Sequence, residues 1–427
     1  MNIKRLQQCS ALFLAIVLLA VSPVAPARDV PLADGVMVPV VVHPARGDRL
    51  LLWLPSGMDG ATAEAQQAEK IRALGIEVWR ADLLGARFLP TLESSLEQIP
   101  DSDIGALIDA AQQHGKRVTL LAAGRGGLLA LRAAQAWQTA HPKASAVDGV
   151  ILLHPNLYLG APEAGQEPEF HPQVARTRLA VHIVQPEKSP WHFRLKTLQP
   201  TLEQGGARVT LQLLPGVRDR YYFRADATQA EDAEAARLPQ RLRAAIDSLR
   251  RGAAVRATPT PPAASLPATR TVVRGLQTYR GDPLPAVLQL RDLDGQVVDL
   301  AQFRQRVVVV NFWASWCPPC VHEMPSMQRL KEKLAGRPFT ILAVNMAESD
   351  QDVRAFLNKT QVDFPVLMDR DGAALKRWKV FVFPTSFVLD PQGRIRLGGV
   401  GELEWDSPEI IQKIMDLLPA ALSGSSD

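Results

Sequence analysis

The strongest constraint on this chain is a pair of cysteines at a predicted junction between a strand and a helix. The run Val307–Trp313 is rich in β-branched and aromatic residues and predicts a buried strand, whereas apolar residues recur at helical spacing over Val321–Leu334. Between them lies the segment Trp316–Cys320, of sequence Trp-Cys-Pro-Pro-Cys. Cys317 therefore falls at a helix N-terminus, where unpaired backbone amides and the helix dipole favour a thiolate. Cys320 lies one turn further on, where it can close a disulfide.

The cysteine count favours disulfide exchange over a structural role. The chain has three cysteines, and Cys9 lies in an N-terminal segment that we expect to be removed. A bridge across so short a loop removes little entropy from the unfolded chain, so this pair is a poor structural staple. A zinc site built from Cys317, Cys320 and His322 is disfavoured, because closed zinc sites take four ligands. The sequence therefore predicts a redox-active dithiol that needs neither a metal nor a cofactor.

The N-terminal segment predicts export. Lys4 and Arg5 precede an apolar stretch over 11–21, and small residues at Ala25 and Ala27 suit cleavage before Arg28. The stretch is shorter than the roughly 20 residues that span a bilayer, so a retained anchor is the alternative. We predict a signal peptide over 1–27, no membrane span after its removal, and a periplasmic location.

Length and composition predict two folded domains. The chain has 427 residues, of which 47% are hydrophobic, and its 48 basic residues nearly balance 44 acidic ones. Without a long basic run, nucleic-acid binding is not predicted. The Pro- and Ala-rich stretch 257–268 has no period that could bury a face. The predicted divisions are a signal peptide, a first domain, a linker, a second domain and a tail, over 1–27, 28–251, 252–275, 276–420 and 421–427.

The sequence of the second domain predicts a thioredoxin-like fold with a mixed sheet and helical cover. A hairpin signal at Asp294-Gly295 separates two short strands, and the strand over Val307–Trp313 leads into the dithiol helix. The other predicted elements are strands at Val287–Leu290, Val297–Leu300, Phe339–Asn345, Pro365–Met368, Ser386–Asp390 and Ile395–Val400, and helices at Gln351–Lys359 and Ser407–Leu418.

The segment Val308–Met327 resembles the active-site segment of TlpA/ResA-type thiol-disulfide oxidoreductases, a group of the thioredoxin superfamily, and Phe383–Phe387 resembles that family's second landmark. The resemblance covers about a third of the chain. It implies that Pro384 follows a cis peptide bond and faces the dithiol. The implied substrate-binding surface comprises Trp316, Pro318, Phe383, Pro384 and Thr385.

Glu323 corresponds to the family's active-site acid. It lies three residues after Cys320 on the predicted helix, where it could handle the proton of Cys320. The alternative is an ordinary surface glutamate. Asn311 stands where thioredoxin has a buried aspartate, and an amide cannot transfer protons, so Glu323 is the better candidate. His322 and Phe383 are interpreted as a surface histidine and a packing aromatic, although Phe383 could narrow partner choice.

The predicted mechanism is reduction of protein disulfides. The Cys317 thiolate attacks a partner disulfide, and Cys320 then attacks Cys317 sulfur to release the reduced partner. The motif does not encode the direction, because reduction potentials decide it. The resemblance favours a reductase recharged by a membrane electron donor of the DsbD type, and oxidase or isomerase work is the alternative.

In the first domain, the alternation of strand and helix patterns predicts an α/β fold with a largely parallel sheet. The turn Ala122–Gly127 lies between a predicted strand and helix and resembles an α/β-hydrolase nucleophile elbow, but Gly124 occupies the serine position. The predicted strands are Leu50–Leu54, Val78–Arg80, Val118–Ala122, Val150–Leu153, Ala180–Val184 and Val209–Leu214, and the predicted helices are Ala63–Ala73, Ile104–Gln113 and Leu128–Trp137.

The rest of a hydrolase triad is missing from this domain. The segment Pro215–Tyr221, where the family has its histidine, contains none, and Glu187 at the acid position is better interpreted as a surface residue. The loop Leu54–Gly60 resembles an oxyanion loop but is equally well explained as a turn. We interpret the domain as a hydrolase-like binding module without hydrolase activity. The alternative is an enzyme with unfamiliar residues, such as Ser56, Asp59 or Asp219.

Overall fold

The computed structural model describes residues 27–160, 162–252 and 275–419, which form two eight-stranded sheets. Cys9, nearly all of the predicted signal peptide and linker, and the predicted tail lie outside the described residues. We refer to residues 27–252 as the N-terminal domain and to residues 275–419 as the C-terminal domain.

The N-terminal domain alternates strands with helices. Its strands are β1 (Ala27–Pro31), β2 (Met37–His43), β3 (Arg49–Trp53), β4 (Glu77–Ala81), β5 (Arg117–Ala123), β6 (Val147–Leu153), β7 (Ala180–Lys188) and β8 (Arg208–Arg218). Its α-helices are α1 (Ala61–Arg72), α2 (Leu83–Ala86), α3 (Asp101–Gln113), α4 (Gly126–Ala140), α5 (Leu195–Gln204) and α6 (Gln229–Gly252). Short 3₁₀ turns lie at Glu93–Gln98, Val174–Arg176 and His192–Arg194.

The strand order of the N-terminal sheet is β1-β2-β4-β3-β5-β6-β7-β8. The six strands from β4 to β8 in this order are parallel to one another, whereas β2 is antiparallel to both β1 and β4. Because parallel strands end at the same edge, the turns after β3, β5, β6, β7 and β8 lie along one side of the sheet. The predicted parallel sheet is confirmed for these strands.

Helices cover both faces of this sheet, which explains its nearly continuous hydrophobic strands. In β3, Leu50 and Leu52 pack into the core beneath α3 and α4, whereas Leu51 and Trp53 pack into the core beneath α1 and α6. Successive side chains of a strand point to opposite faces, so a doubly covered strand has no polar positions to alternate with.

The C-terminal domain has a mixed sheet, as predicted. Its strands are β9 (Gln277–Thr278), β10 (Gln289–Asp292), β11 (Val297–Asp299), β12 (Val307–Trp313), β13 (Phe339–Met346), β14 (Val366–Asp369), β15 (Thr385–Leu389) and β16 (Ile395–Val400). Its α-helices are α7 (Pro318–Lys333), α8 (Asp350–Thr360), α9 (Ala373–Arg377) and α10 (Pro408–Met415), and a 3₁₀ turn lies at Leu300–Phe303.

The strand order of the C-terminal sheet is β11-β10-β14-β13-β12-β15-β16-β9. β12 is parallel to β13 and antiparallel to β15. The end of β12 therefore lies beside both the end of β13 and the beginning of β15, where Phe312 pairs with Thr385. This junction positions the dithiol turn.

The structure confirms the predicted start of the dithiol helix and corrects the start of one strand. Helix α7 begins at Pro318, directly after Cys317, because a proline at the first helical position needs no hydrogen-bond partner for its nitrogen. The first hairpin strand begins at Gln289 rather than Val287, which is 70% exposed. Sequence patterns gave no prediction of β1, β2 or α6. Helix α6 combines many charged residues with Pro239, so its apolar stripe is weak in the sequence.

Candidate active site

The two cysteines lie at the start of α7 and are joined in a disulfide. Cys317 is the N-cap residue, and the Cα atoms of Cys317 and Cys320 are 5.3 Å apart. Pro318 and Pro319 fill the first helical positions, where their fixed φ suits the helix and no amide is lost from its ladder. Cys317 is 6% exposed and Cys320 is fully buried. Cys317 is therefore the more exposed of the two cysteines.

The turn before Cys317 is held by Glu348, which sequence reasoning missed. Glu348 is 5% exposed and accepts hydrogen bonds from the Ser315 backbone N–H at 2.7 Å, from the Ser315 hydroxyl, and from Asn345 Nδ2 at 2.7 Å. Its position just after β13 gives the only available signal, because β12 and β13 are parallel and end side by side. Glu348 fixes the backbone that delivers Cys317.

The Phe383–Pro384 peptide bond is cis, which confirms that prediction from the family resemblance. Pro384 is buried and lies just before β15, and its carbonyl accepts a hydrogen bond from the Gly401 N–H at 2.8 Å. Thr385 is buried, and its hydroxyl donates to the Val382 carbonyl at 2.7 Å. This segment begins the strand that pairs with the end of β12.

Two residues of the implied substrate-binding surface are in ring contact. The Trp316 and Phe383 rings lie edge to face with centroids 6.0 Å apart, and Phe383 is 8% exposed. Pro318 is exposed beside them in the chain. The structure therefore links the dithiol turn to the cis-proline segment through an aromatic pair, which agrees with the interpretation of Phe383 as a packing residue.

Glu323 is 1% exposed, so the surface-glutamate alternative is wrong. It accepts hydrogen bonds from Asn311 Nδ2 at 2.7 Å, from the Leu403 N–H at 3.1 Å and from Trp405 Nε1 at 3.2 Å. Burial raises the pKa of Glu323 to about 8, although these three donors act in the opposite direction. The carboxyl can therefore hold or release a proton near neutral pH.

Asn311 orients this carboxyl from the central strand. It is fully buried, and its Nδ2 also donates to Ser386 Oγ at 2.9 Å, so it joins β12, β15 and α7. Cys320 and Glu323 are three residues apart on α7 and both are buried, which places them on the same side of the helix. The arrangement can supply a proton acceptor on the face that carries the resolving cysteine.

His322 lies apart from this buried group. Its side chain is 65% exposed, and its Nδ1 is 3.6 Å from a Glu402 carboxylate oxygen. The interpretation of His322 as a surface histidine agrees with this position.

The corresponding turn of the N-terminal domain follows β5 and has a glycine at its apex. Gly124 has φ +53°, and a Cβ atom built there would lie 3.7 Å from Met58 Cε and 3.8 Å from Glu93 Oε1. Gly126 approaches the loop after β3 so closely that a Cβ would lie 2.6 Å from the Pro55 carbonyl oxygen. The backbone forms a tight strand-to-helix turn without a nucleophilic atom at Gly124.

The other residues considered in this domain are scattered along the same sheet edge. Ser56 is 4% exposed and accepts from the Met58 N–H at 3.3 Å, and Asp59 is exposed. Glu187 is exposed and accepts from the Gly216 N–H at 2.8 Å, which agrees with its interpretation as a surface residue. None of the described hydrogen bonds joins Ser56 to Asp219.

A half-buried acid and a buried histidine lie at this edge. Asp219 accepts from Ser189 Oγ at 3.0 Å, and burial raises its pKa to about 7. Sequence reasoning missed His154, which follows β6, is 3% exposed and has its pKa lowered to about 3 by burial. His154 is therefore neutral at physiological pH.

Residues 279–414 match the Redoxin family model. A thiol-disulfide oxidoreductase ResA from Bacillus thuringiensis subsp. konkukian is 36% identical over 104 residues, which cover 24% of this chain and 60% of the relative. The thioredoxin-like protein YneN from Bacillus subtilis is 35% identical over 117 residues, which cover 27% of this chain and 68% of the relative. The crystal structure of StoA from Bacillus subtilis is 25% identical, with 31% of this chain and 98% of that chain covered and a TM-score of 0.28.

These matches lie in the C-terminal domain, and the chain spans 60% of the length of the ResA relative. Within the described ranges, no helix has the length and apolar character needed to cross a membrane. The predicted thioredoxin-like fold of the C-terminal domain is confirmed. Through this domain, the chain belongs to the thioredoxin-like Redoxin family.

Proposed function

We propose that the protein is an exported thiol-disulfide oxidoreductase that reduces protein disulfides through Cys317 and Cys320. The observation that carries the proposal is the disulfide at the start of α7, in which Cys317 is the more exposed cysteine and Cys320 is fully buried. Thiolates at helix N-termini are stabilised by the helix dipole, so Cys317 suits the role of attacking group. The relatives named thiol-disulfide oxidoreductases support the same chemistry.

The reaction transfers two electrons to the partner. The Cys317 thiolate attacks one sulfur of the partner disulfide, that bond breaks, and the departing partner thiolate takes up a proton. Cys320 then loses its proton and attacks Cys317 sulfur, which breaks the mixed disulfide and releases the second partner thiol. Ionised Glu323 accepts the Cys320 proton in this proposal, since it shares a buried helix side with Cys320 and titrates near neutral pH.

A membrane electron donor of the DsbD type would return the oxidised protein to the dithiol form. This part of the proposal rests on the resemblance to TlpA/ResA-type proteins and on the signal-like N-terminal sequence. The reduction potential of the pair relative to the donor sets the direction.

The N-terminal domain is proposed to be a hydrolase-like binding module that selects or places the protein partner. The support is a tight turn after β5 with Gly124 at its apex and the absence of histidine in the sequence between Gly216 and the linker. A serine-type hydrolase needs an attacking oxygen at the apex and a base beside it. Binding the partner in this domain would raise its effective concentration near Cys317.

A disulfide-reduction assay on the full chain tests the activity. With insulin as the protein disulfide and a chemical thiol as the electron source, the wild-type protein should accelerate reduction, and Cys317→Ser should abolish the acceleration. Arg132→Ala is a control in the N-terminal domain, where it removes an ion pair with Asp101. Wild-type rates in Cys317→Ser would refute the proposed function.

A further inference from the structure

The N-terminal domain contacts the C-terminal domain beside the segment that leads to the cis-proline. The guanidinium carbon of Arg194, which follows β7, lies 4.4 Å from the centre of the Phe381 ring. Phe381 is 6% exposed. A guanidinium over an aromatic face at this distance is a cation–π contact. One domain therefore supplies a cation to a buried ring of the other.

Arg194 is held in place by its own domain. Its Nε donates to the Tyr158 hydroxyl at 3.3 Å, and its guanidinium carbon lies 6.0 Å from the centre of the Tyr158 ring. Tyr158 is 3% exposed and stacks on Phe170 with centroids 4.7 Å apart. Arg194 is 14% exposed and lies 3.7 Å from the Glu167 carboxylate. The guanidinium thus contacts an aromatic ring of each domain, and the contacts with Tyr158 and Glu167 hold it in this position.

The neighbouring residue makes a second contact on the same side. Phe193 packs against the core of the C-terminal domain, and its ring reaches 2.6 Å from the position that a Cβ of Gly372 would occupy. Gly372 is the N-cap of α9, the helix that leads into the Phe381 segment. The absence of a side chain at Gly372 gives the Phe193 ring its space. The two adjacent residues therefore contact the beginning of α9 and the segment after it.

Phe381 is connected to the dithiol by a short path. It lies two residues before Phe383, whose ring centroid is 6.0 Å from that of Trp316. Trp316 immediately precedes Cys317. We propose that Arg194 is a positioning residue, which fixes the segment Phe381–Pro384 through its contact with Phe381 and so sets the surface on which a partner disulfide docks. This inference rests on the proposed function.

The contact of Arg194 with Phe381 gives the N-terminal domain a role that tethering alone does not provide. A tether changes how often a bound partner meets Cys317, whereas a contact behind the cis-proline segment changes how well any protein partner fits there. Loss of the contact should therefore affect binding of a protein disulfide more than the chemical step. From the range of cation–π contacts, we expect about a fivefold change in KM.

The test is steady-state reduction of insulin by the full-length protein. Arg194→Ala should raise KM for insulin about fivefold while kcat changes by less than about twofold. Arg194→Lys should restore part of the loss, because lysine keeps the charge but not the planar stacking. Phe381→Leu should give a KM similar to that of Arg194→Ala. The double variant should have no higher KM than either single variant, because both substitutions remove the same contact.

Two controls separate positioning from general effects. Lys188→Ala removes another interdomain ion pair, that with Asp352 at 3.7 Å, and Arg132→Ala removes an ion pair within the N-terminal domain. Both should retain the wild-type KM. An unchanged KM in Arg194→Ala, or an equal rise in Lys188→Ala, would overturn the positioning role. Inactivity of the wild-type protein would instead refute the proposed function, so the two failures are distinguishable.

Discussion

In each domain, the strand that is fifth in the sheet order is followed by a turn and then a helix, but the two turns contain different residues. The turn after β12 places the Cys317 thiol at the start of α7. The turn after β5 has Gly124, which has no side chain, just before α4. The backbone plan provides a helix N-terminus and a position at the sheet edge in both cases. The comparison shows that this plan supplies a place for chemistry, whereas the side chain at its apex decides whether chemistry occurs.

An acid with a raised pKa in each domain extends the contrast. Glu323 and Asp219 both have pKa values raised by burial, to about 8 and about 7. Glu323 shares a helix with the resolving cysteine and accepts three hydrogen bonds, whereas the described hydrogen bond of Asp219 comes from Ser189. A perturbed acid is a functional candidate only when a reacting group lies nearby.

The largest effect that would sharpen this contrast is expected for Glu323→Gln. Loss of the proton acceptor should slow release of reduced insulin by about 100-fold, because Cys320 must lose a proton before it attacks. The wild-type rate should change with pH around pH 8, and the rate of the variant should lack this pH dependence. Stopped-flow kinetics across pH, with circular dichroism to verify folding, would measure it. An unchanged pH profile in a folded variant would remove Glu323 from the mechanism.

The same substitution has a stability signature. The pKa of Glu323 is raised in the folded protein from its ordinary value of 4.5 to about 8. Its contribution to stability is therefore fully present below about pH 4.5 and is lost as pH rises through about 8. Denaturant unfolding of the oxidised protein should show that Glu323→Gln gains stability relative to wild type over this interval. A difference independent of pH would contradict the buried, proton-holding carboxyl.

The next largest effect is expected for Pro384→Ala. Pro384 lies just before β15, the strand that pairs with the end of β12, so its loss should lower kcat/KM for insulin roughly tenfold by disturbing the proposed docking surface beside Cys317. Reaction with oxidised glutathione should fall less, since a small disulfide needs little of the docking surface. Equal losses for both substrates in this variant would indicate general structural damage instead.

A difference of similar size should separate the two sulfurs of the reduced dithiol. Cys317 is the N-cap of α7 and is slightly exposed, whereas Cys320 is fully buried, so Cys317 should be alkylated about tenfold faster. Peptide mapping after limited alkylation measures the ratio. Faster labelling of Cys320 would reverse the assigned roles.

The smallest effect tests the silent turn of the N-terminal domain. Gly124→Ser supplies a hydroxyl at the apex but no histidine base, so ester hydrolysis should stay at the background rate in both the wild-type protein and the variant. A chromogenic ester assay would detect activity. Hydrolysis by the wild-type protein would show that the domain is an enzyme with other catalytic residues and would contradict its assignment as a binding module.

Local sequence signals predicted most of the C-terminal site. The β-branched strand β12, the dithiol and the Phe383-Pro384 segment are each readable within a few residues, and the structure places them at one sheet junction. Residues that act through tertiary contacts were not predictable in this way. Glu348 has no motif of its own, and Arg194 acquires its contact with Phe381 only when the two domains meet.

Burial was the hardest property to predict. Glu323 has the sequence context of an exposed helical acid, and only the arrival of Asn311 and Trp405 from other elements encloses it. The same applies to His154, which looks like a loop histidine after β6 but is buried at the sheet edge. Charged and polar residues in such positions depend on partners distant in sequence, which a single pattern cannot reveal.

The most direct test of the account is to trap the reaction intermediate with Cys320→Ser. Without the resolving cysteine, the reduced variant should accumulate a mixed disulfide with insulin through Cys317, which intact-mass and peptide mass spectrometry would identify. The adduct should disappear on addition of excess thiol and should not form in Cys317→Ser. Failure of reduced, folded Cys320→Ser to form any adduct through Cys317 would contradict the claim that this residue attacks the partner disulfide.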